Sequence, residues 1–248
     1  MSNPEIFLRF SSSHREVVFL ARPQRFLATM QFDGVREETV YCANPGSMKG
    51  LLMSGNRAIL WDSENLKRKR RYTWRAIEFE GNWVGTDTHL SNRIVEEIVK
   101  AKLLPDFETV SETLCEQLIE EGVRVDFVLK SDMGDCLVEV KSASIVLDGV
   151  ARYPDSKTPR GVKQLSALTR QVKAGRRALL LFLVQRADVS SFCVTGAFDQ
   201  EYAKAFDEAV EAGVEVIGVS VTVSPEGFSS PIRLPYCEDA IFSICAER

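Results

Sequence analysis

From Ala178 to Val184 the chain reads Ala-Leu-Leu-Leu-Phe-Leu-Val, with Arg177 before the run and Gln185 after it. This run is far shorter than the ~20 residues that span a bilayer. Its length and composition are those of a strand buried on both faces. Such a strand needs a layer above it and another below, which makes this half of the chain an α/β domain. The neighbouring segments fit that layout. Leu90, Ile94, Ile98 and Lys102 recur at helical spacing, and Val95 and Val99 widen the apolar face. Strands are expected over Arg124–Lys130 and Cys136–Ser142, then a helix with Leu165, Leu168 and Val172 on one face. After the apolar strand, a helix over Gln200–Ala212 leads to a last strand over Val214–Val223. The order predicts a mixed sheet, and this domain is expected to span residues 86–248.

The first ~85 residues have a different rhythm, with short β-forming stretches between turns. These are Val17–Ala21, Phe26–Phe32, Thr39–Cys42, Arg57–Trp61, Trp74–Phe79 and Trp83–Gly85. Asp33-Gly34 and Glu80-Gly81-Asn82 are turn signals, and Asn44-Pro45-Gly46-Ser47 is expected to open a short helix over Met48–Leu52. Many short strands and one brief helix predict a small β-barrel of the OB type over residues 1–85. The whole is α+β, a barrel followed by an α/β domain.

Composition narrows the chemistry. The chain has 248 residues, 45% hydrophobic and 27% charged, as in an ordinary globular protein. Its opening, Met-Ser-Asn-Pro-Glu, lacks the basic-then-apolar pattern of a signal peptide, and a cytoplasmic location without a membrane partner is expected. The six cysteines, Cys42, Cys115, Cys136, Cys193, Cys237 and Cys245, form no Cys-x-x-Cys pair, and the two histidines are His14 and His89. That set predicts no structural zinc site and no Ser-His-Asp machinery. The cysteines read as reduced, mostly buried apolar residues. Any chemistry must come from carboxylates and lysine. Charge is uneven: residues 1–85 hold 13 Lys/Arg against 9 Asp/Glu (+4), and residues 86–248 hold 18 against 26 (−8). A basic module beside an acidic one fits phosphate binding joined to a carboxylate-held metal.

Two strands carry the candidate site. Alternation places Val125, Phe127 and Leu129 on one face of the first and Asp126 on the other. On the second, Val138 and Val140 face one way while Glu139 and Lys141 face the other. Ser131-Asp132-Met133-Gly134 is turn chemistry, so paired residue numbers sum to about 265 and Asp126 falls opposite Glu139. Carboxylates directly across a ladder repel, and a divalent cation such as Mg²⁺ or Mn²⁺ offsets that repulsion. Lys141 would then orient water or stabilise charge on a scissile phosphate, with the Val140 carbonyl a further metal ligand. The plain alternative is a set of cross-strand ion pairs on a solvent face. Glu97, flanking the apolar arc of the first helix, is the candidate third acid, against the alternative of a solvated glutamate.

A second signal is Lys67-Arg68-Lys69-Arg70-Arg71-Tyr72-Thr73-Trp74-Arg75. Its cations can neutralise phosphates and its aromatics, Tyr72 and Trp74, can stack on bases. The alternatives are a solvated loop and a Trp74 that belongs to the barrel core.

These residues together give the chain a resemblance to the sugar fermentation stimulation protein family, SfsA. The similar blocks include Asn44-Pro45-Gly46, Lys67-Arg68-Lys69, Asp87-Thr88 with Asn92-Arg93, and Val125-Asp126-Phe127. They continue through Val138-Glu139-Val140-Lys141-Ser142, Tyr153-Pro154-Asp155, Thr158, Arg160-Gly161 and Lys163, then Gly213-Val214-Glu215-Val216 and Ser224-Pro225-Glu226-Gly227. The resemblance implies an OB-like N-terminal domain, a restriction-endonuclease-like PD-(D/E)xK C-terminal domain and DNA binding without marked sequence preference. It adds Arg160 and Lys163 to the DNA-contacting set. Two positions depart from the pattern: Val125 stands where the nuclease signature names a proline, and Gln164 where the family usually has histidine. Two readings follow, a Mg²⁺-dependent phosphodiesterase acting on DNA and a non-catalytic DNA-binding regulator linked to sugar metabolism.

Overall fold

A computed structural model of the chain describes residues 5–10, 13–48 and 50–237. The first strands are β1 (Ile6–Arg9), β2 (His14–Gln24), β3 (Leu27–Phe32), β4 (Arg36–Cys42), β5 (Arg57–Asp62), β6 (Tyr72–Phe79) and β7 (Asn82–Gly85). Helix α1 (Ser91–Lys100) follows, then β8 (Val110–Glu120), β9 (Val123–Ser131), β10 (Cys136–Ser142), β11 (Ile145–Leu147) and β12 (Val150–Tyr153). Helix α2 (Pro159–Lys173) precedes β13 (Arg177–Val184) and β14 (Ser191–Val194), and α3 (Gln200–Glu211) precedes β15 (Glu215–Ser224) and β16 (Gly227–Leu234).

The barrel is a five-stranded OB fold. β2 pairs with both β3 and β5, β3 with β4, and β5 with β6, while a short parallel pairing of β4 with β6 closes the ring. Alternate residues of these strands fill it: Phe19, Met30, Val40, Leu60 and Trp74 share one core. The helix expected over Met48–Leu52 does not form. Lys49 lies outside the described residues, and the rest is turn and coil whose Met48 and Leu51 are buried against the barrel. The Asn44 side chain instead accepts the Gly46 N–H at 2.8 Å, an Asx turn that uses the donor a helix start would need.

The apolar run forms β13, whose residues from Ala178 to Val184 are all buried. It lies between β10 and β15, parallel to both, and β9 and β8 extend the sheet antiparallel beyond β10. On one face α1 sets Ile94, Val95 and Ile98 in a cluster with Phe127, Val138 and Val140. On the other, Leu165 and Leu168 of α2 and Phe206 of α3 share a cluster with Leu137, Leu180 and Phe182. Val125, expected beside Phe127 and Leu129, belongs instead to this second cluster, so the alternation of β9 breaks at Asp126.

Side chains fix the starts of α2 and α3, whereas α1 begins after Leu90 with no side-chain cap. Thr158 accepts the Gly161 N–H at 3.2 Å ahead of Pro159 at the first helical position. Asp199 caps α3 through the Tyr202 N–H (3.2 Å) and also accepts the Thr158 N–H (2.7 Å), which ties the two helix starts together.

The two halves share more than a linker. β1, from within the first 85 residues, pairs with β16, and β7 pairs with β15 through Trp83 and Val223, so the barrel strands and the β8–β16 sheet are continuous, while β11, β12 and β14 form a separate small sheet. No helix among the described residues is long and apolar enough to cross a membrane. No disulfide joins the described cysteines: Cys42, Cys136 and Cys193 are buried, Cys237 is half-buried and Cys115 exposed, while Cys245 lies outside the described residues.

Candidate metal centre

β9 and β10 pair in the expected register, with Cys136 opposite Leu129, Leu137 opposite Val128 and Val138 opposite Phe127. The ladder then ends, and the Asp126 side chain continues it. Its Oδ2 accepts the Val140 N–H at 2.7 Å, and its Oδ1 accepts the Asn92 side-chain amide at 2.8 Å. Asn92 sits in the first turn of α1, so the helix packed on the sheet also positions the carboxylate.

On β10, Glu139 and Lys141 share the face opposite Val138 and Val140, and both are buried. The Lys141 ammonium donates to Glu139 Oε1 and to Gln164 Oε1, each at 2.7 Å, while Gln164 Nε2 donates to Glu139 Oε1 at 2.5 Å. One oxygen of Glu139 thus takes two donors. The other, Oε2, is buried and has no partner. Burial pushes the Glu139 carboxyl above its usual range, Lys141 opposes that shift, and the nearby Asp126 charge adds to it. An unpaired buried carboxylate oxygen is costly unless something positive reaches it.

Around these groups is a cavity of about 590 Å³. One wall is the barrel loop Asn44–Gly46, drawn in by Arg22, which donates to the carbonyls of Asn44, Gly46 and Ser47. The opposite wall is the Tyr153–Thr158 loop. They join where the Ser47 N–H donates to Asp155 Oδ2 at 3.0 Å. The approach there is so close that a methyl group on Gly46 would fall on the Asp155 carboxylate, so glycine is required. Exposed Arg25, Lys157 and Arg160 line the mouth.

The donor set fits one class of metal. Among the described residues no three His, Cys, Asp or Glu side chains come together as a cage. Two carboxylates, one with a buried oxygen that has no partner, suit a hard cation that keeps several waters. They do not suit a four-ligand zinc site.

Other expected residues are placed differently. Glu97 does not line the cavity; its carboxylate lies 3.8 Å from Lys100, which also pairs with Glu96 at 2.7 Å. Asn92 is the side chain that α1 turns inward. Two further acidic residues join Asp126 and Glu139 in the lining: Asp155, held by the Ser47 N–H, and Glu116 of β8, which faces Asp126 by register. Its φ of 54° is uncommon for a non-glycine residue in a strand. Only the three-dimensional pairing of β8 with β9 could have pointed to it.

The basic segment divides. Lys67 and Lys69 are exposed, and Arg68 lies 5.3 Å from the Trp61 ring. Arg70 is half-buried. Arg71 is committed to Asp62, donating from Nε and Nη2 at 2.6 Å each. Tyr72 and Trp74 do share one strand face, but it is the barrel interior: Trp74 is fully buried and stacked on Phe19, and Tyr72 meets Phe32. Neither offers a ring to a base. Lys163, a helical position on from Arg160, is exposed outside the cavity.

Residues 20–86 match the model of the SfsA N-terminal OB domain, and residues 89–227 that of the sugar fermentation stimulation protein RE domain. The chain belongs to the sugar fermentation stimulation protein family. The homolog of Ruegeria sp. (strain TM1040) is 37% identical over 231 residues, covering 92% of this chain and all of the relative. That of Allorhizobium ampelinum is 38% identical over 223 residues, 86% of this chain and 93% of the relative. The structure of Pyrococcus furiosus SfsA in complex with Ca²⁺ superposes with a TM-score of 0.83 at 26% identity, covering 94% of this chain and 99% of the archaeal one. The Gln164 amide spans Lys141 and Glu139.

Proposed function

We propose that this protein binds DNA and holds a divalent cation, Mg²⁺ or Mn²⁺, at Asp126 and Glu139, where it hydrolyses a phosphodiester bond. The unpaired buried Oε2 of Glu139, beside Asp126 and on the same strand as Lys141, carries this reading. Pyrococcus furiosus SfsA, solved with Ca²⁺, supports a hard divalent ion in this fold.

The cation supplies charge neutralisation and an acidified water next to the phosphate. The protein's own groups do the rest. Arg25, Lys157 and Arg160 at the mouth attract and orient the backbone. Lys141 directs an N–H toward the phosphate or the attacking water, and Gln164 holds that ammonium in line with Glu139. Asn92 and the Val140 N–H keep Asp126 from turning away.

A second reading, a DNA-binding regulator without turnover, draws on one observation: the Lys141 ammonium is buried and already committed to Glu139 and Gln164. Incubation of labelled single- and double-stranded DNA with and without Mg²⁺ or Mn²⁺ separates the two. Metal-dependent cleavage that disappears in Lys141→Ala supports the enzyme. Metal and DNA binding without cleavage leaves the regulator.

A further inference from the structure

We propose that a second cleft, lined from the same helix start as the metal centre, binds one nucleotide of a single strand. This rests on the reading of the protein as a nucleic-acid binder and names a subsite for it. Asn92 lines the metal cavity, and the next residue, Arg93, lines the cleft together with Leu90. The cleft holds about 350 Å³, within the roughly 300–1,000 Å³ of small-ligand pockets.

Its lining has two chemistries. Trp61 and Phe10, both half-buried, present apolar surface over buried Leu8 and Phe228. Around them stand Arg9, His14, Arg75 and Arg93, and no acidic residue joins the lining. Arg75 lies 5.0 Å from the Trp61 ring and donates to the buried Asp87 carboxylate, which fixes its position. Arg68, from the basic loop, lies 5.3 Å from the same ring. Arg93 is exposed and has no carboxylate partner among the described residues. Besides Asp87, which Arg75 neutralises, Glu226 lies near enough for the charges of His14 and Arg9, with the Ser224 hydroxyl, to hold its carboxyl below the usual range.

Aromatic surface ringed by guanidinium groups is the chemistry that recognises an unstacked base and its phosphates. A duplex keeps its base faces covered and is too broad to enter a cleft of this size, whereas a single strand can lower a base into it. The basic loop reaches the cleft through Arg68 at the Trp61 ring, and the first turn of α1 leads from the cleft to the metal cavity.

The test is fluorescence anisotropy of a dye-labelled oligothymidylate and of a duplex of equal length, in magnesium-free buffer. Arg93→Gln and Arg9→Gln should weaken single-strand binding and flatten its salt slope by roughly 0.7 per lost contact. Trp61→Ala should lose roughly five- to 150-fold in single-strand affinity, and Trp61→Phe should retain most of it. Duplex affinity should change little. Single-strand affinity unchanged in Arg93→Gln and in a folded Trp61→Ala overturns the cleft. Equal displacement of the strand by phosphatidylglycerol vesicles or by polyglutamate also overturns it. If metal titrates normally at Asp126 and Glu139 while the cleft variants bind like the parent, this inference fails and the metal centre stands.

Discussion

Asp126 Oδ2 accepts the Val140 N–H at 2.7 Å, so a side chain takes the place of a ladder carbonyl where β9 and β10 part. The other Asp126 oxygen accepts from Asn92, and every partner of this carboxylate is therefore a donor. Asparagine satisfies that surround only if the Asn92 amide turns over to present its oxygen, because the new NH₂ otherwise faces a donor. Asp126→Asn should lose about 1–3 kcal/mol in urea unfolding and lose any metal-induced rise in Tm. An Asp126→Asn variant as stable as the parent would show the two hydrogen bonds to be dispensable.

Glu139 makes an opposite prediction. Its folded-state pKa is raised, chiefly by burial, so the stability it lends is present below the unfolded value of 4.5 and is lost as pH rises through the folded value. The parent should lose Tm relative to Glu139→Gln over that rise. Added Mn²⁺ should reverse the trend in the parent alone, since only the ionised carboxylate binds metal. Parallel Tm–pH curves for the two proteins would contradict the shift.

Trp74 is a core residue, with its indole N–H donating to the Ala76 carbonyl at 2.9 Å and its ring 5.1 Å from that of Phe19. Trp74→Ala should cost about 3–5 kcal/mol. The folded Trp74→Phe variant should bind oligonucleotide as the parent does. A loss of affinity in Trp74→Phe at unchanged stability would return the ring to the nucleic-acid surface.

Within the basic segment, Lys67 and Lys69 should act on binding and Arg71 on folding. Alanine at both lysines should flatten the slope of log K against log salt by up to roughly 0.9 per duplex phosphate contact, with Tm unchanged. Arg71→Ala should instead lower Tm. The Arg71 guanidinium holds the Asp62 carboxyl below its usual range. That stabilisation is present above the unfolded pKa and fades as pH falls through the folded one, so the variant's deficit should shrink in acid. A deficit that stays constant with pH would remove Asp62 as its cause.

Local signals made much of this legible. The Cys136–Leu129 register follows from a turn at Ser131–Gly134 and two alternating strands, and β13 follows from its unbroken apolar run. The OB barrel is legible because its strands are short and punctuated by turns. Tyr72 and Trp74 were harder to place, since their sequence spacing puts them on one face without saying whether that face is inside the barrel. β8 was not anticipated because this half-exposed strand reads Val-Ser-Glu-Thr-Leu-Cys-Glu-Gln-Leu-Ile-Glu, a polar pattern without clean alternation. Glu116 was hidden with it. Asn92, Asp155 and the Asn44–Gly46 wall come together only through packing of the barrel on the second domain. Glu97 was favoured because it borders the apolar arc of α1, but the turn of the helix that faces Asp126 is an earlier one, at Asn92.

Calorimetric titration of Mn²⁺ into the purified protein tests the central claim most directly, with Asp126→Asn, Glu139→Gln and Lys141→Ala alongside. The account predicts saturable binding in the parent and in Lys141→Ala, with none in the two carboxylate variants. Absence of binding in the parent up to millimolar Mn²⁺, with and without DNA, or binding that survives both carboxylate substitutions, would contradict it.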